Sequence, residues 1–559
     1  MLSWRLLLTC LLPACAPTTP DLGGSPDAGR KDTGDRVDTD DTDDTDLPED
    51  TDDTDIPDDT DTGPLPVLVG DATVAILTNN PNGALVTVTL DRDADVWVEY
   101  GQALPSASVT PTRTVVAGTP TTLLVLGLKS GLSYELRVHA ESADAAPWES
   151  EALPLDVPAL QSGFQRCNAT TYADRHDPDE VYCTNGTHAG GYTYFCVDHL
   201  GDVVYQIASA PAELTYSTQP LSTGGWASVS TSNSVLLMFD EQSELIGQFT
   251  PGYFAGRTTY EHQYIDNHEV IEIAEGEWAG ALAFITSSWE YSPYGWVYVQ
   301  GIIVFDPSAR EVLWDWSMAG DLNDGVPNDP LLDYNRTAYG GYNQDFGHGN
   351  SLVHRLDPDG REVFWMSLRS QDWVVKIDVA EAHIVWRFGL GGDFALVEDM
   401  TAGAPVSRPA QDWFFGQHAI ELRSSSGSET QFTLFDNGYY REDDSGAYTS
   451  AYSRIVEYRL DEDTLLAEQV FSYGPADPYD SEYLYAWGMG DAEVLPDEAR
   501  VAWSSGYGVG YGYGGPFLRE VSYPDGELLW SLDCFDYGSG FYRFNWFPSL
   551  YELDWRIGG

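Results

Sequence analysis

Ile302-Ile-Val-Phe-Asp306, a short turn, and then Val312-Leu-Trp-Asp-Trp316 decide how this chain folds. An apolar run closes on Asp, and a second apolar run carrying Trp follows, which is the pattern of two strands joined by a turn. The same unit stands on both sides of it. Towards the N-terminus are Tyr194-Phe-Cys-Val-Asp198 with Asp202 to Ile207, and Leu236-Leu-Met-Phe-Asp240 with Leu245 to Phe249. Towards the C-terminus are Val374 to Asp378 with Ile384 to Phe388, Val456 to Asp461 with Leu466 to Phe471, and Leu518 to Pro524 with Glu527 to Leu532. Six such hairpins spaced roughly 40 to 80 residues apart imply an all-β chain whose main part is a six-bladed β-propeller of four-stranded blades. Each copy is then the outer hairpin of a blade, and the inner hairpin lies between copies.

Outward from the repeats, residues 159–559 belong to the propeller and 65–158 read as a small β-sandwich. The sandwich rests on Ala84 to Leu90, Val96 to Tyr100, Leu126-Gly-Leu128, Gly131 and Tyr134 to Val138. It resembles fibronectin type III domains, in which a Tyr at such a corner bonds back to the preceding backbone. Residues 16–64 form a disordered Asp/Thr-rich tether: Lys31 to Gly63 holds 16 acids and 2 bases, and charge this dense extends a chain and leaves nothing to bury. Residues 1–15 form a lipoprotein signal segment. An apolar run, Leu6 to Leu12, ends in Leu12-Pro13-Ala14-Cys15, which resembles the bacterial lipobox with Cys15 as the lipidated residue. The chain is therefore expected to be exported and membrane-anchored, periplasmic or at the cell surface.

Composition narrows the function. The 559 residues carry 27 Lys+Arg against 89 Asp+Glu, a net charge of −62. A nucleic-acid backbone binder and a polybasic membrane-surface protein are excluded, since both need clustered basic side chains. Four cysteines remain beyond the leader, Cys167, Cys183, Cys196 and Cys534, and an oxidising location favours disulfides. Three pairings are open; Cys167 with Cys183 and Cys196 with Cys534 would suit closure of the propeller. No CxxC spacing occurs, so a structural zinc site is not expected.

Three of the ten histidines stand where an inner hairpin begins: His268 in Asp266-Asn-His-Glu269, His348 in Phe346-Gly-His-Gly-Asn-Ser351, and His418 in Phe415-Gly-Gln-His-Ala419. Innermost strands of a propeller line its axial channel, so these imidazoles should meet at one mouth. The turn Asp357-Pro-Asp-Gly360 contains the midpoint of 348 and 369, so Arg369 should return beside His348. Asn350 shares a strand face with His348. The same folding-back brings Asp436-Asn437 near His418. An Arg fork, amide donors and neutral His suit a tetrahedral oxyanion, and a His can serve as nucleophile. A metal site is disfavoured beside Arg369, and no Gly-x-Ser-x-Gly elbow is present. His354 and His383 read as structural, and Arg454 as a brace behind the blade.

At these residues the sequence resembles the bacterial arylsulfate sulfotransferase family, from about residue 190 to 550. The resemblance rests on His268 with its following acid, His348-Gly-Asn350-Ser351-Leu352, Ser367-Leu-Arg369-Ser370 with Val375-Lys-Ile-Asp378, Ile384-Val-Trp386, Gln417-His418, Phe435-Asp-Asn-Gly438 and Ser453-Arg454. It implies transfer of a sulfuryl group from a small aryl sulfate donor to a phenolic acceptor, with no nucleotide donor, cofactor or metal. His418 takes the place of the transiently sulfated nucleophile, His348, Asn350 and Arg369 those of sulfate-holding residues, and His268 that of the remaining catalytic His. Asn437 is expected to bind substrate. The competing expectation is a non-catalytic surface lipoprotein propeller that binds an anionic ligand or partner at the same mouth.

Overall fold

The computed structural model describes residues 69–160, 164, 166–173, 179–188, 191–207, 217–230, 234–292, 295–319, 345–449, 451–474, 485–497, 499–506, 516–535 and 541–552. The leader with Cys15 and the Asp/Thr tether lie outside the described residues.

The chain is all-β. Near its start, Gly70–Ile76, Ala84–Leu90 and Thr121–Val125 form one sheet, while Arg113–Val115, Ala94–Gly101, Ser133–Ser142 and Ala145–Glu149 form another, with Leu153–Asp156 also pairing onto Ser133–Ser142. Period-two alternation turns Ala84, Val86, Val88 and Leu90 inward, where they share a core with Val96, Val98, Leu136 and Val138 of the second sheet. The Tyr134 hydroxyl accepts the Lys129 N–H at 2.9 Å, the corner bond its position suggested.

Among the described residues six sheets follow, antiparallel but for one edge strand. The second to fourth are built from consecutive strands: Thr218–Pro220 to Leu245–Phe249, Tyr264–Glu272 to Glu311–Ser317, and Gly349–Leu356 to His383–Phe388. The fifth runs from His418–Ser426 to Leu466–Tyr473 and adds Ala395–Val397 in parallel at its edge. The first and sixth each borrow from the far end of the chain. Phe544–Phe547 completes the sheet of Val181–His188, Gly191–Asp198 and Val203–Gln206, and Arg166–Thr171 completes that of Asp491–Val494 to Leu528–Phe535. The first four hairpin copies read from the sequence are the outer pairs of their sheets; in the fifth and sixth a further strand, Ala395–Val397 and Arg166–Thr171, pairs outside the copy, a correction to the expected outer hairpins.

The inner strands of neighbouring sheets touch. Asn545 Nδ2 donates to Gln219 Oε1, Ser217 Oγ to Glu269 Oε1, the Ile420 N–H to Ser351 Oγ, Thr433 Oγ1 to the Ala492 carbonyl, and the Phe544 N–H to Asp491 Oδ2. Between the third and fourth sheets, the rings of His268 and His348 stand 4.8 Å apart. The sandwich leans on the first sheet: Asn82 Nδ2 donates to the Val203 carbonyl, and Leu126 packs in one core with Val204, Phe547 and Leu550.

The disulfides correct the expected pairing. Cys167 is joined to Cys534 and Cys183 to Cys196, with Cα atoms 3.9 Å apart in both. Each pair sits directly opposite across two antiparallel strands, so register chose the partners. The first of these bonds ties the borrowed strand Arg166–Thr171 to its sheet.

Candidate active site

The three histidines share a local device. His268 and His418 lie on the innermost strands of their sheets and His348 immediately precedes one, and beside each the ladder loses register: between Ile265 and Val270, between Gly349 and Ser351, and between His418 and Glu421. A bulge frees a strand from strict alternation and re-aims a side chain. The backbone is left-handed at His348 (φ 51°), Ala419 (57°) and Met489 (61°). Such conformations cost about 1–3 kcal/mol each and concentrate at functional sites.

His418 is buried, and two bonds set its tautomer. Its Nδ1 lies 2.7 Å from Asn437 Oδ1, while the Met489 N–H donates to Nε2 at 3.2 Å. Asn437 cannot be turned over, because its Nδ2 donates to the carbonyls of Ala486 and Met489, both at 2.8 Å. The proton therefore sits on Nδ1, and Nε2 keeps its lone pair. Asn437, expected to bind substrate, gives its Oδ1 to His418 and its Nδ2 hydrogens to the Ala486 and Met489 carbonyls. Burial, then Arg369, Arg543 and His348, push His418 well below the ordinary imidazole value. Behind Asn437, Asp436 accepts the Phe415 and Gly438 N–H groups and pairs with Arg441 and Arg454, so Arg454 braces this corner.

The opposite wall is built from carboxylate-backed histidines. His268 Nδ1 bonds Asp266, and His348 Nδ1 lies 2.5 Å from Asp345 Oδ2. Burial pushes His348 down against the pull of Asp345, with His268 and Arg369 adding to the push. Burial would lift the Asp345 carboxyl, but His348, His268 and Arg369 hold it below its usual range. Tyr264, Asp266, His268, Tyr298, Asp345 and His348 are among the walls of a cavity of about 260 Å³.

Arg369 arrives where the hairpin arithmetic put it: its N–H donates to the His348 carbonyl at 3.2 Å. Its guanidinium is buried, donates Nη2 to the Trp487 carbonyl at 2.8 Å and packs over Tyr439. Asn350 gives one Nδ2 hydrogen to the Gln417 carbonyl at 2.8 Å, which leaves one amide hydrogen to offer. His354 lies away from this cluster between Trp278 and Phe364, and burial pushes it down to about 4.

Sequence reasoning missed Tyr542 and Arg543. The Tyr542 ring lies 5.7 Å from His268 and 5.9 Å from His418, so it bridges the two walls. Its hydroxyl and Arg543 Nη2 both donate to the Asn350 carbonyl, at 2.8 and 2.7 Å. Arg543 also pairs with Glu269 at 3.0 Å; burial raises the Glu269 carboxyl despite that partner. Both residues precede the borrowed strand Phe544–Phe547, which lies outside the six repeat copies. The available signal was an aromatic segment, Phe541 to Phe547, left over after the sixth copy. Asp266 and Asp345 stood next to their histidines in the sequence, but spacing alone did not say that they would bond them.

Among the described residues, no group of three or more His, Cys, Asp or Glu side chains is arranged to hold a metal ion. The arrangement offers a neutral imidazole nucleophile, a buried guanidinium and two imidazoles oriented by carboxylates.

A family model described as arylsulfotransferase (ASST) matches residues 168–510. No curated protein matches the chain. Among solved structures, a candidate 6-phosphogluconolactonase from Bacteroides fragilis is 11% identical, with 64% of this chain and 82% of that one covered and a TM-score of 0.33. A protein of unknown function from Bacteroides caccae is 9% identical, with 65% and 98% covered and a TM-score of 0.32. Hydrazine synthase of Kuenenia stuttgartiensis is 10% identical, with 56% and 70% covered and a TM-score of 0.25. These structural likenesses are too slight to bear on fold or activity.

Proposed function

This chain belongs to the arylsulfotransferase family, and on that premise we propose that it moves a sulfuryl group from an aryl sulfate to a phenol through a sulfated His418. The observation that carries the reading is the state of His418: Nδ1 protonated against Asn437, Nε2 bearing the lone pair, and the ring kept neutral by burial and Arg369.

In the first half-reaction, Nε2 of His418 attacks sulfur, an N–S bond forms, and the S–O bond to the aryl group breaks. The bond from the Met489 N–H is long and yields to the new one. Negative charge on the transferring group meets Arg369, the free amide hydrogen of Asn350, and His348; preorganised donors of this kind are each worth about 10²–10³ in rate. His268, turned by Asp266, gives its proton to the departing phenoxide. In the second half-reaction His268 takes the proton of the acceptor phenol, the phenolate oxygen attacks sulfur, and the N–S bond breaks to restore His418.

The six sheets close into a six-bladed propeller in this reading. Its support is the run of contacts between successive inner strands and the exchange of terminal strands between the first and sixth sheets. Export with a lipid on Cys15 is read from the leader alone; the full chain should fractionate with membranes and Cys15→Ala should release it.

The test is incubation with p-nitrophenyl sulfate, with and without phenol. Release of nitrophenol that depends on phenol, with a sulfuryl mass increment on the peptide containing His418 when phenol is withheld, is the expected result. Turnover undiminished in His418→Ala overturns the proposal.

A further inference from the structure

The cavity wall continues outward as an aromatic ribbon. Past the Tyr264–Ser287 pair, the strands Leu282–Ser292 and Gly295–Asp306 run on together, from Ser288 opposite Val299 to Ser292 opposite Gly295. Those five pairs project roughly 16 Å at 3.3 Å per residue. Trp289 stands opposite Tyr298 and Tyr291 opposite Trp296, with ring centroids 5.2 and 5.6 Å apart. Period two places all four rings on one face.

The reverse face is anchored. Val297 and Val299 are buried in the core with Met318, Ala319 and Phe346. The ribbon is therefore held in place while Tyr291 and Trp296 remain 69% and 57% exposed. At its base, Tyr298 lies 6.1 Å from Tyr264, and both line the cavity that holds His268 and His348. Exposed rings of this size on an anchored sheet face mark a contact site. Continuity with the cavity identifies the occupant as part of the molecule bound there. The one charged side chain of the extension, Glu290, points to the opposite face, so the ring face suits an uncharged planar group.

We propose that this face is a distal subsite for the outer ring of a multi-ring phenol or its sulfate, whose oxygen-bearing end reaches into the cavity at His268 and His348. The proposal rests on the sulfuryl-transfer reading above and adds a substrate class to it: linked or fused aromatic rings rather than a single phenol.

The experiment compares 4-phenylphenol with phenol, in the full-length protein and in Tyr291→Ala/Trp296→Ala, by steady-state transfer from p-nitrophenyl sulfate and by calorimetric titration of 4-phenylphenol without donor. The double variant should raise the KM for 4-phenylphenol about tenfold relative to that for phenol, with kcat held, and weaken calorimetric binding about as much, the scale of lost ring contacts. Trp296→Phe should keep most of the binding. An equal effect on both acceptors, no effect on either, or a loss of self-association with binding unchanged overturns the subsite. The two proposals fail separately. Selective loss of 4-phenylphenol binding without any turnover supports the subsite against sulfuryl transfer, whereas transfer indifferent to the double variant leaves the enzyme and removes the subsite.

Discussion

The two sides of the histidine cluster use the same side chain in opposite ways. On one, His418 faces an amide, Asn437, and a guanidinium, Arg369, that disfavours its protonation. On the other, His268 and His348 face carboxylates, Asp266 and Asp345. An amide oxygen orients an imidazole without adding charge; a carboxylate orients it and favours the cation. Burial depresses both His418 and His348. What differs between the two sides is the partner at Nδ1, an amide for His418 and a carboxylate for His268 and His348.

The strongest way to break this comparison is to remove the nucleophile. His418→Ala should cost at least about 10⁴ in kcat, as losses of covalent nucleophiles do, and abolish the mass increment at that position; the same change at His268 should leave the increment detectable. Next comes the charge that keeps His418 neutral. Arg369→Gln should lower kcat by about 10²–10³. It should also move the acid limb of the kcat profile to higher pH, because loss of the neighbouring cation raises the His418 pKa and the ring protonates sooner. A profile that loses height without shifting would detach Arg369 from the protonation of His418.

A sharper and smaller test converts one side into the other. Asn437→Asp gives His418 the carboxylate that its counterparts have, so its pKa should rise and activity should fall about tenfold near neutrality. Recovery towards alkaline pH distinguishes this from simple misfolding. The smallest effect is on stability. His418 is depressed in the folded state, so its contribution is present above the unfolded imidazole value near 6.5 and is lost as pH falls below it. Thermal melts between pH 7 and 5 should decline more steeply for the parent than for His418→Gln, and an unchanged slope would contradict the depressed pKa.

Much of this arrangement was legible in the chain. Apolar runs closing on Asp marked the outer hairpins, since a pairing register cannot slip by one residue without turning the buried set outward. Arg369 and His348 were joined by counting to a turn, because antiparallel pairing conserves the sum of two residue numbers. Tyr542 and Arg543 escaped that method: their strand pairs with Val181–His188, far away in sequence. Cys167 escaped for the same reason, as it meets Cys534 only once the chain ends lie side by side, whereas Cys183 and Cys196 lie opposite on one hairpin whose turn was not counted across. Asn437 was placed beside His418 by the same counting, but its bond to the imidazole Nδ1 was not foreseen.

Periodicity, turn residues and charge are local properties, and from them the chain by itself determined its β architecture and the three histidines at the start of inner hairpins. Only the tertiary structure decided which atom lies on Nδ1 of each imidazole, and that His418 is held neutral with its Nε2 lone pair available. The reason is physical. A tautomer and a pKa are set by groups within a few ångströms, and around His418 those groups come from Arg369, Asn437, Met489 and Arg543, which only folding brings together.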